Sequence, residues 1–186
     1  MNADGGVATR YPVALIRPLT LRDGRRVLLR PVLPQDTATE QAFVMGLSAA
    51  SRYRRFHVGL RALPPSLLRQ MTQIDHDTHV ALVAQPEVPG DDGDDDPGIV
   101  ADARYVRSDD GTAEFAVAVA DGWQQLGLGR QMLEQLARHA ARHGVHTLVG
   151  DVLVDNLPMI TMLQRMHCEL QLREDEPGLL LATIRL

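Results

Sequence analysis

Gln124, Gly127 and Gly129 stand in the stretch DGWQQLGLGRQML, residues 121–133. An alternating apolar run, AEFAVAVA, precedes it and a helical pattern follows. Glycines at a strand-to-helix junction let a ligand approach the backbone closely. The free N–H groups and positive dipole end of the helix favour a phosphate or pyrophosphate there. Two phosphate loops are excluded by spelling. A Walker A loop needs a lysine, and the chain has none; a GxGxxG fingerprint needs glycine where Met132 stands. What remains is QxxGxG, a short motif that a plain turn would also satisfy. Its weight depends on the elements around it.

Other residues invite a metal reading. IDHDTH, residues 74–79, places Asp75, His76, Asp77 and His79 together, and His139 and His143 lie one helical turn apart. The first cluster joins a helix to a strand, where aspartates commonly cap backbone N–H groups. The second lacks an acidic or thiol companion, and near a helix C-terminus histidines complement the dipole. The acidic run between residues 86 and 98 lacks the spacing of an EF-hand loop. No metal is expected.

The 186 residues suit one domain with a sizeable core, and a net charge of −5 argues against a nucleic-acid partner. All 19 basic residues are arginine. The single cysteine, Cys168, allows no intrachain disulfide, which fits a cytoplasmic location. No apolar run reaches the length of a membrane span, and the first residues lack the apolar core of a secretory signal. Residues 1–12 read as a loose tail, residues 13–186 as a single domain, and 86–98 as a mobile acidic loop.

The elements follow from periodicity. Residues 19–31 read as a hairpin with a two-residue Asp23-Gly24 turn. Helices are expected over Gln35–Leu47, Ser51–Val58 and from Pro64-Pro65 to about Gln73. Strands are expected from His79, Ile99 and Thr112. Leu128, Met132, Leu133, Leu136 and Ala140 recur at helical spacing between Gly127 and His143. A strand from Thr147, a helix capped by Asn156 and running to about His167, and two strands around Glu176-Pro177-Gly178 complete the chain. The order is mixed α/β, antiparallel first and β-α-β-α-β-β at the end.

In this context the motif resembles the acyl-CoA-binding segment of the GNAT superfamily of N-acyltransferases, whose pattern [QR]xxGx[GA] is matched by Gln124, Gly127 and Gly129. TLVGDVLVDNLPMITMLQRM is similar to that family's next strand and helix. LSAASRYRRFHVGLRALPPSLLRQMTQIDHDTHVALVA resembles its bacterial branch that includes protein-lysine acetyltransferase domains. The resemblance covers about residues 19–186. It implies one α/β (α+β) domain with a mostly antiparallel sheet, a splayed parallel strand pair and flanking helices. It also implies acetyl-CoA as co-substrate, an amine acceptor, no metal and a monomer or homodimer. Backbone N–H groups of Leu126, Gly127, Leu128, Gly129 and Arg130, with Gln124 and Gln125 beside them, would cradle the pyrophosphate. Val117, Ala118 and Val119 would pair with the pantetheine arm, and Asn156 would contact it.

Acyl transfer to an amine needs a base, a polarised carbonyl and a proton for the leaving thiolate. By the resemblance Glu114 is the candidate base, and it shares one strand face with Ala116, Ala118 and Ala120. A strand-face glutamate paired with an arginine is its alternative. The N–H of Val119 is the expected polarising group. Many relatives carry a tyrosine on the helix after Asn156; here that position is Gln164, so no donor carries over. Arg52, Tyr53 and Arg55 lie where the family places the acceptor, against the alternative of a surface helix with Tyr53 and Phe56 packed inward. The expected function is acetyl-CoA-dependent N-acetylation of a protein lysine or small amine; the alternative is a non-catalytic acyl-CoA-binding sensor or scaffold.

Overall fold

The computed structural model describes residues 11–87, 98–108 and 110–186. Most of the expected tail and of the acidic connection lies outside these residues. Tyr11 itself is tied down: its hydroxyl donates to the Pro31 carbonyl at 2.9 Å.

One sheet of eight strands organises the chain: β1 (Arg17–Thr20), β2 (Arg26–Pro31), β3 (His79–Pro86), β4 (Ala101–Arg107), β5 (Thr112–Val119), β6 (Thr147–Leu153), β7 (Glu169–Leu172) and β8 (Leu179–Arg185). Its order is β1-β2-β3-β4-β5-β6-β8-β7. Every neighbouring pair is antiparallel except β5 and β6. The last hairpin folds back so that β8, not β7, lies against β6.

The first hairpin differs from expectation by one residue. Leu21 N–H donates to the Arg25 carbonyl at 2.8 Å and Gly24 N–H to the Leu21 carbonyl at 3.0 Å. The loop is therefore the three residues Arg22, Asp23 and Gly24, with Gly24 left-handed at φ 86°. This geometry sends Arg22 toward the glycine loop, where its N–H faces the Leu126 carbonyl at 3.5 Å.

Helices cover both faces. α1 (Thr37–Gly46), α2 (Ala49–Phe56) and α3 (Pro65–Thr72) lie over one face, where Phe43, Val44, Leu47 and Met71 pack on Ala81 and Val83. α4 (Leu128–Arg142) lies over the other. Its Leu128, Met132, Leu133, Leu136 and Ala140 are all fully buried against Val80, Leu82, Ala103 and Tyr105. α5 (Leu157–Arg165) starts at Asn156, whose side chain accepts from Met159 N–H at 3.4 Å. Strand alternation divides β5 between the faces: Ala113, Phe115 and Val117 join the α4 core, and Glu114, Ala116 and Ala118 face the α1–α3 side.

The parallel pairing is short. Thr112, Ala113 and Glu114 pair with Thr147, Leu148 and Val149, and there the ladder stops. Beyond it β5 stays with β4 as far as Val119, while β6 stays with β8 as far as Leu153. Gly150 marks the branch point, since a Cβ there would lie 2.9 Å from the Phe115 ring. The two strands diverge, and a wedge opens between them.

Burial pushes the His139 pKa down to about 4, so the ring is neutral near pH 7 and does not complement the helix dipole as a cation. Its Nδ1 meets the Tyr105 hydroxyl at 2.9 Å, and the His143 ring stacks on it at 4.0 Å. Asp75 is a backbone cap: its Oδ1 accepts from the N–H groups of Asp77 and His79, both at 2.9 Å. Among the described residues no cluster of three or more His, Cys, Asp or Glu is placed to hold a metal, and no helix is long and apolar enough to cross a membrane.

Candidate acyl-CoA site

The wedge opens into a cavity of about 570 Å³. Its floor is β5 from Val117 to Val119, one wall is the loop into α4, and the other is α5. Ser108 N–H donates to the Thr112 carbonyl and Ala120 N–H to the Val100 carbonyl. Even-numbered residues of β5 therefore bond to β4. By alternation Val117 and Val119 turn their N–H groups to the gap. That leaves a strand edge free to pair with an extended, amide-bearing ligand.

The loop is tightly curled. Gln125 has φ 62° and Gly127 φ 87°, both left-handed. Gln125 stores strain of about 1 kcal/mol that a glycine would not. Gly127 directly precedes α4, so the helix begins with no side chain capping its first N–H groups. Those donors face the cavity through Leu128, Gly129 and Arg130. The two glycines do different work. Gly127 supplies the left-handed turn; Gly129 lets α4 approach β5, since a Cβ there would lie 3.3 Å from Val119 Cγ2.

Gln124 locks the loop. Its Nε2 donates to the Val119 carbonyl at 3.0 Å and to Ser51 Oγ at 3.2 Å. Asp121 binds the same junction to α2, accepting from Ser48 N–H at 2.9 Å and from the Ser48 and Ser51 hydroxyls, each at 2.8 Å. These contacts hold the Asp121 carboxyl below its usual range against the effect of burial. Trp123 packs under the Arg25 guanidinium, 4.1 Å from its ring centre. Ser48, Ser51 and Asp121 carried no sequence signal beyond their types; only the fold brings residues seventy positions apart together.

The structure gathers Val117, Ala118, Val119, Gln124, Gln125, Gly127, Leu128, Gly129, Arg130 and Asn156 around this one cavity. Leu126 is not part of this lining; it lines an adjoining hollow that shares Arg22, Gly127 and Arg130 with the cavity. Pro158, Thr161, Met162 and Arg165 add the wall from α5. Gln164 is exposed on another face of that helix. Cys168 packs against the core, where burial pushes its thiol pKa up, and does not reach the wall.

Glu114 occupies the last paired register, opposite Val149, where the strands begin to part. It is exposed and stands outside the cavity wall, on the α1–α3 face. Of the α2 residues, Arg55 lines the cavity, as does its neighbour Arg54. Arg52 points elsewhere and donates to the carbonyls of Met45, Leu47 and Leu60. Tyr53 is 49% exposed rather than packed inward.

Beneath α2 lies a buried ion cluster. Arg104 forks onto Asp102 at 3.0 and 2.6 Å and donates to the Met71 carbonyl at 3.0 Å. Glu40 is fully buried, 3.7 Å from Arg104 Nη2, and neither of its oxygens has a hydrogen-bond partner. Burial, reinforced by Asp102, pushes its pKa from 4.5 up to about 8. The folded value lies above the unfolded one, so this group favours folding at low pH. That contribution is lost as the pH rises through about 8. Denaturant unfolding at about pH 5 and about pH 8 should show stability falling in the wild type and falling less in Glu40→Gln, whose amide stays neutral. Equal pH slopes would contradict this assignment.

The comparisons with known proteins agree with this architecture. Residues 71–167 match the model of the acetyltransferase (GNAT) family. Acetyltransferase PA5475 of Pseudomonas aeruginosa is 35% identical over 126 residues, 67% of this chain and 65% of that protein. Acetyltransferase Pat of Mycolicibacterium smegmatis is 31% identical over 160 residues, 85% of this chain and 45% of that protein. The chain thus spans less than two thirds of either relative's length. The crystal structure of the GNAT domain of S. lividans PAT superposes with a TM-score of 0.84 at 26% identity, covering 95% of this chain and all of that one. The family match spans the glycine loop, α4 and the splayed strands together, and the chain belongs to the GNAT acetyltransferase family.

Proposed function

We propose that this chain transfers the acetyl group of acetyl-CoA to a primary amine, of a protein lysine or a small molecule. The observation that carries the reading is the wedge itself. A strand edge with free N–H groups at Val117 and Val119 runs directly to the uncapped N-terminus of α4. An extended thioester arm would pair with the edge, and its pyrophosphate would meet the helix dipole. Asn156 and Met162 would flank the arm. The N–H of Val119 would polarise the thioester carbonyl as negative charge grows on its oxygen.

The reaction needs few groups. Glu114 would take a proton from the ammonium of the acceptor, directly or through water, on the face opposite the cradle. The free amine attacks the carbonyl carbon and a C–N bond forms; the nitrogen then gives its surplus proton to water as the C–S bond breaks and CoA leaves as a thiolate. No Tyr, Cys, Asp or Glu lines the described cavity, so the thiolate takes its proton from solvent.

The test is amine-dependent release of the CoA thiol, with mass spectrometry of the acceptor for a 42-dalton gain characteristic of acetylation (about 42 for replacing H by acetyl). Release that follows amine concentration, with acetyl found on nitrogen, is expected. Binding of acetyl-CoA with no release on a broad amine panel would instead favour a sensor or scaffold.

A further inference from the structure

Five cavity residues are arginines (Arg22, Arg54, Arg55, Arg130 and Arg165), and among the described residues no Asp or Glu shares the wall. They fall into separate groups. Arg22 and Arg130 flank the glycine loop: a Cβ on Gly127 would lie 3.7 Å from Arg22 Nε, and Arg130 stands in the first turn of α4. Arg54 and Arg55 come from α2, on the sheet face that carries Glu114, Ala116 and Ala118. A pyrophosphate at the glycine loop explains the first group and leaves the second without a task.

Arg55 is incompletely satisfied. Its nearest carboxylate, Asp102 Oδ1, is 4.0 Å away and already takes the Arg104 fork. Its Nε is buried with no hydrogen-bond partner. The Phe56 ring lies 4.8 Å from the guanidinium carbon. Glu40 prefers its neutral form near pH 7, Arg104 repels, and Glu114 attracts the guanidinium but is exposed and forms no ion pair with it. Arg54 is half-buried and makes no ion pair or hydrogen bond among the described residues. Two adjacent cations with unused donors, one of them buried, call for an anion.

We propose that Arg54 and Arg55 form an anion subsite for the acceptor, so that the preferred substrate is a primary amine bearing a carboxylate or phosphate. The proposal rests on the transfer reading above. With the anion held at α2, the amine of such a molecule reaches across Ala116 and Ala118 toward Glu114 and the mouth of the wedge. The alanines leave room for this path because beyond Glu114 that face of β5 carries only alanine side chains. A lysine beside an acidic residue offers the same chemistry as a free amino acid, and the two sources are separable.

The test is steady-state kinetics on matched acceptors that differ only in the anion: 5-aminopentanoate against pentylamine, O-phosphoethanolamine against ethanolamine, and lysine peptides with Asp or Asn beside the lysine. The anionic member of at least one pair should have a kcat/KM about tenfold or more higher, and the pair that shows it names the source. Arg54→Gln, which breaks no ion pair or hydrogen bond among the described residues, should raise KM for that anionic acceptor by about tenfold and close most of the gap to its neutral partner. Arg55→Lys should lose most of the preference, since a point charge cannot replace the fork. Equal use of both members of every pair, or a rise in the acetyl-CoA KM in Arg54→Gln, would overturn the subsite while transfer stands. Absence of transfer to any amine would overturn the transfer reading and this proposal together.

Discussion

Glu114→Gln should lower kcat/KM for acetyl transfer by about 10²- to 10⁴-fold, the range for losing a positioned general base. The amide keeps the size and polarity of the side chain and removes only its capacity to take a proton. Glu114 stands at the last paired register of β5 and outside the cavity wall, so the Kd for acetyl-CoA should not change. It is also exposed and makes no hydrogen bond or ion pair among the described residues, so the thermal unfolding midpoint should stay within a degree or two of wild type, as surface substitutions do within about 0.5 kcal/mol. Raising the pH should partly rescue the variant, because more of the acceptor then arrives as free amine. A loss below about tenfold would remove Glu114 from the mechanism.

Gly129→Glu should abolish measurable acetyl-CoA binding, with a loss of affinity of about 100-fold or more expected from a like charge placed in a phosphate site. Two effects combine. The new Cβ would press on Val119 Cγ2 at 3.3 Å, with Met162 Sδ at 3.7 Å, so the contact between helix start and strand edge must open by a few tenths of an ångström. The carboxylate would then occupy the first turn of α4, where the dipole would draw the proposed pyrophosphate. Gly127→Ala is the informative companion. Open space surrounds that position apart from Arg22, but its φ of 87° makes any side chain strained. It should cost about 1 kcal/mol of stability and weaken binding only modestly.

Much of this arrangement is legible in the sequence because local rules govern it. The alternating run of β5, the glycines and the periodic leucines of α4 each report one element, and their succession places a helix N-terminus at a strand end. Asn156 and Pro158 likewise announce the start of α5. Pairings across long separations carry no such trace. Nothing in Thr112–Val119 shows that its parallel ladder to β6 ends after Glu114, which is what creates the wedge. The three-residue hairpin loop that delivers Arg22 differs from a two-residue one only in register. Arg52 and Arg55 look alike in SRYRRF, yet one is consumed by three carbonyls and the other faces the cavity. The buried cluster did leave a signal. Asp102 and Arg104 are two apart in the otherwise apolar ADARYV, in phase on one face, where opposite charges can be buried by pairing with each other.

Acetyl transfer as proposed requires the wedge and the α4 N-terminus to form one acyl-CoA site. Calorimetric titration of acetyl-CoA into the wild-type protein and into Gly129→Glu tests this most directly. One-to-one binding to the wild type and none to the variant is the predicted result. No heat with the wild-type protein, or equal affinity in the variant, would contradict it.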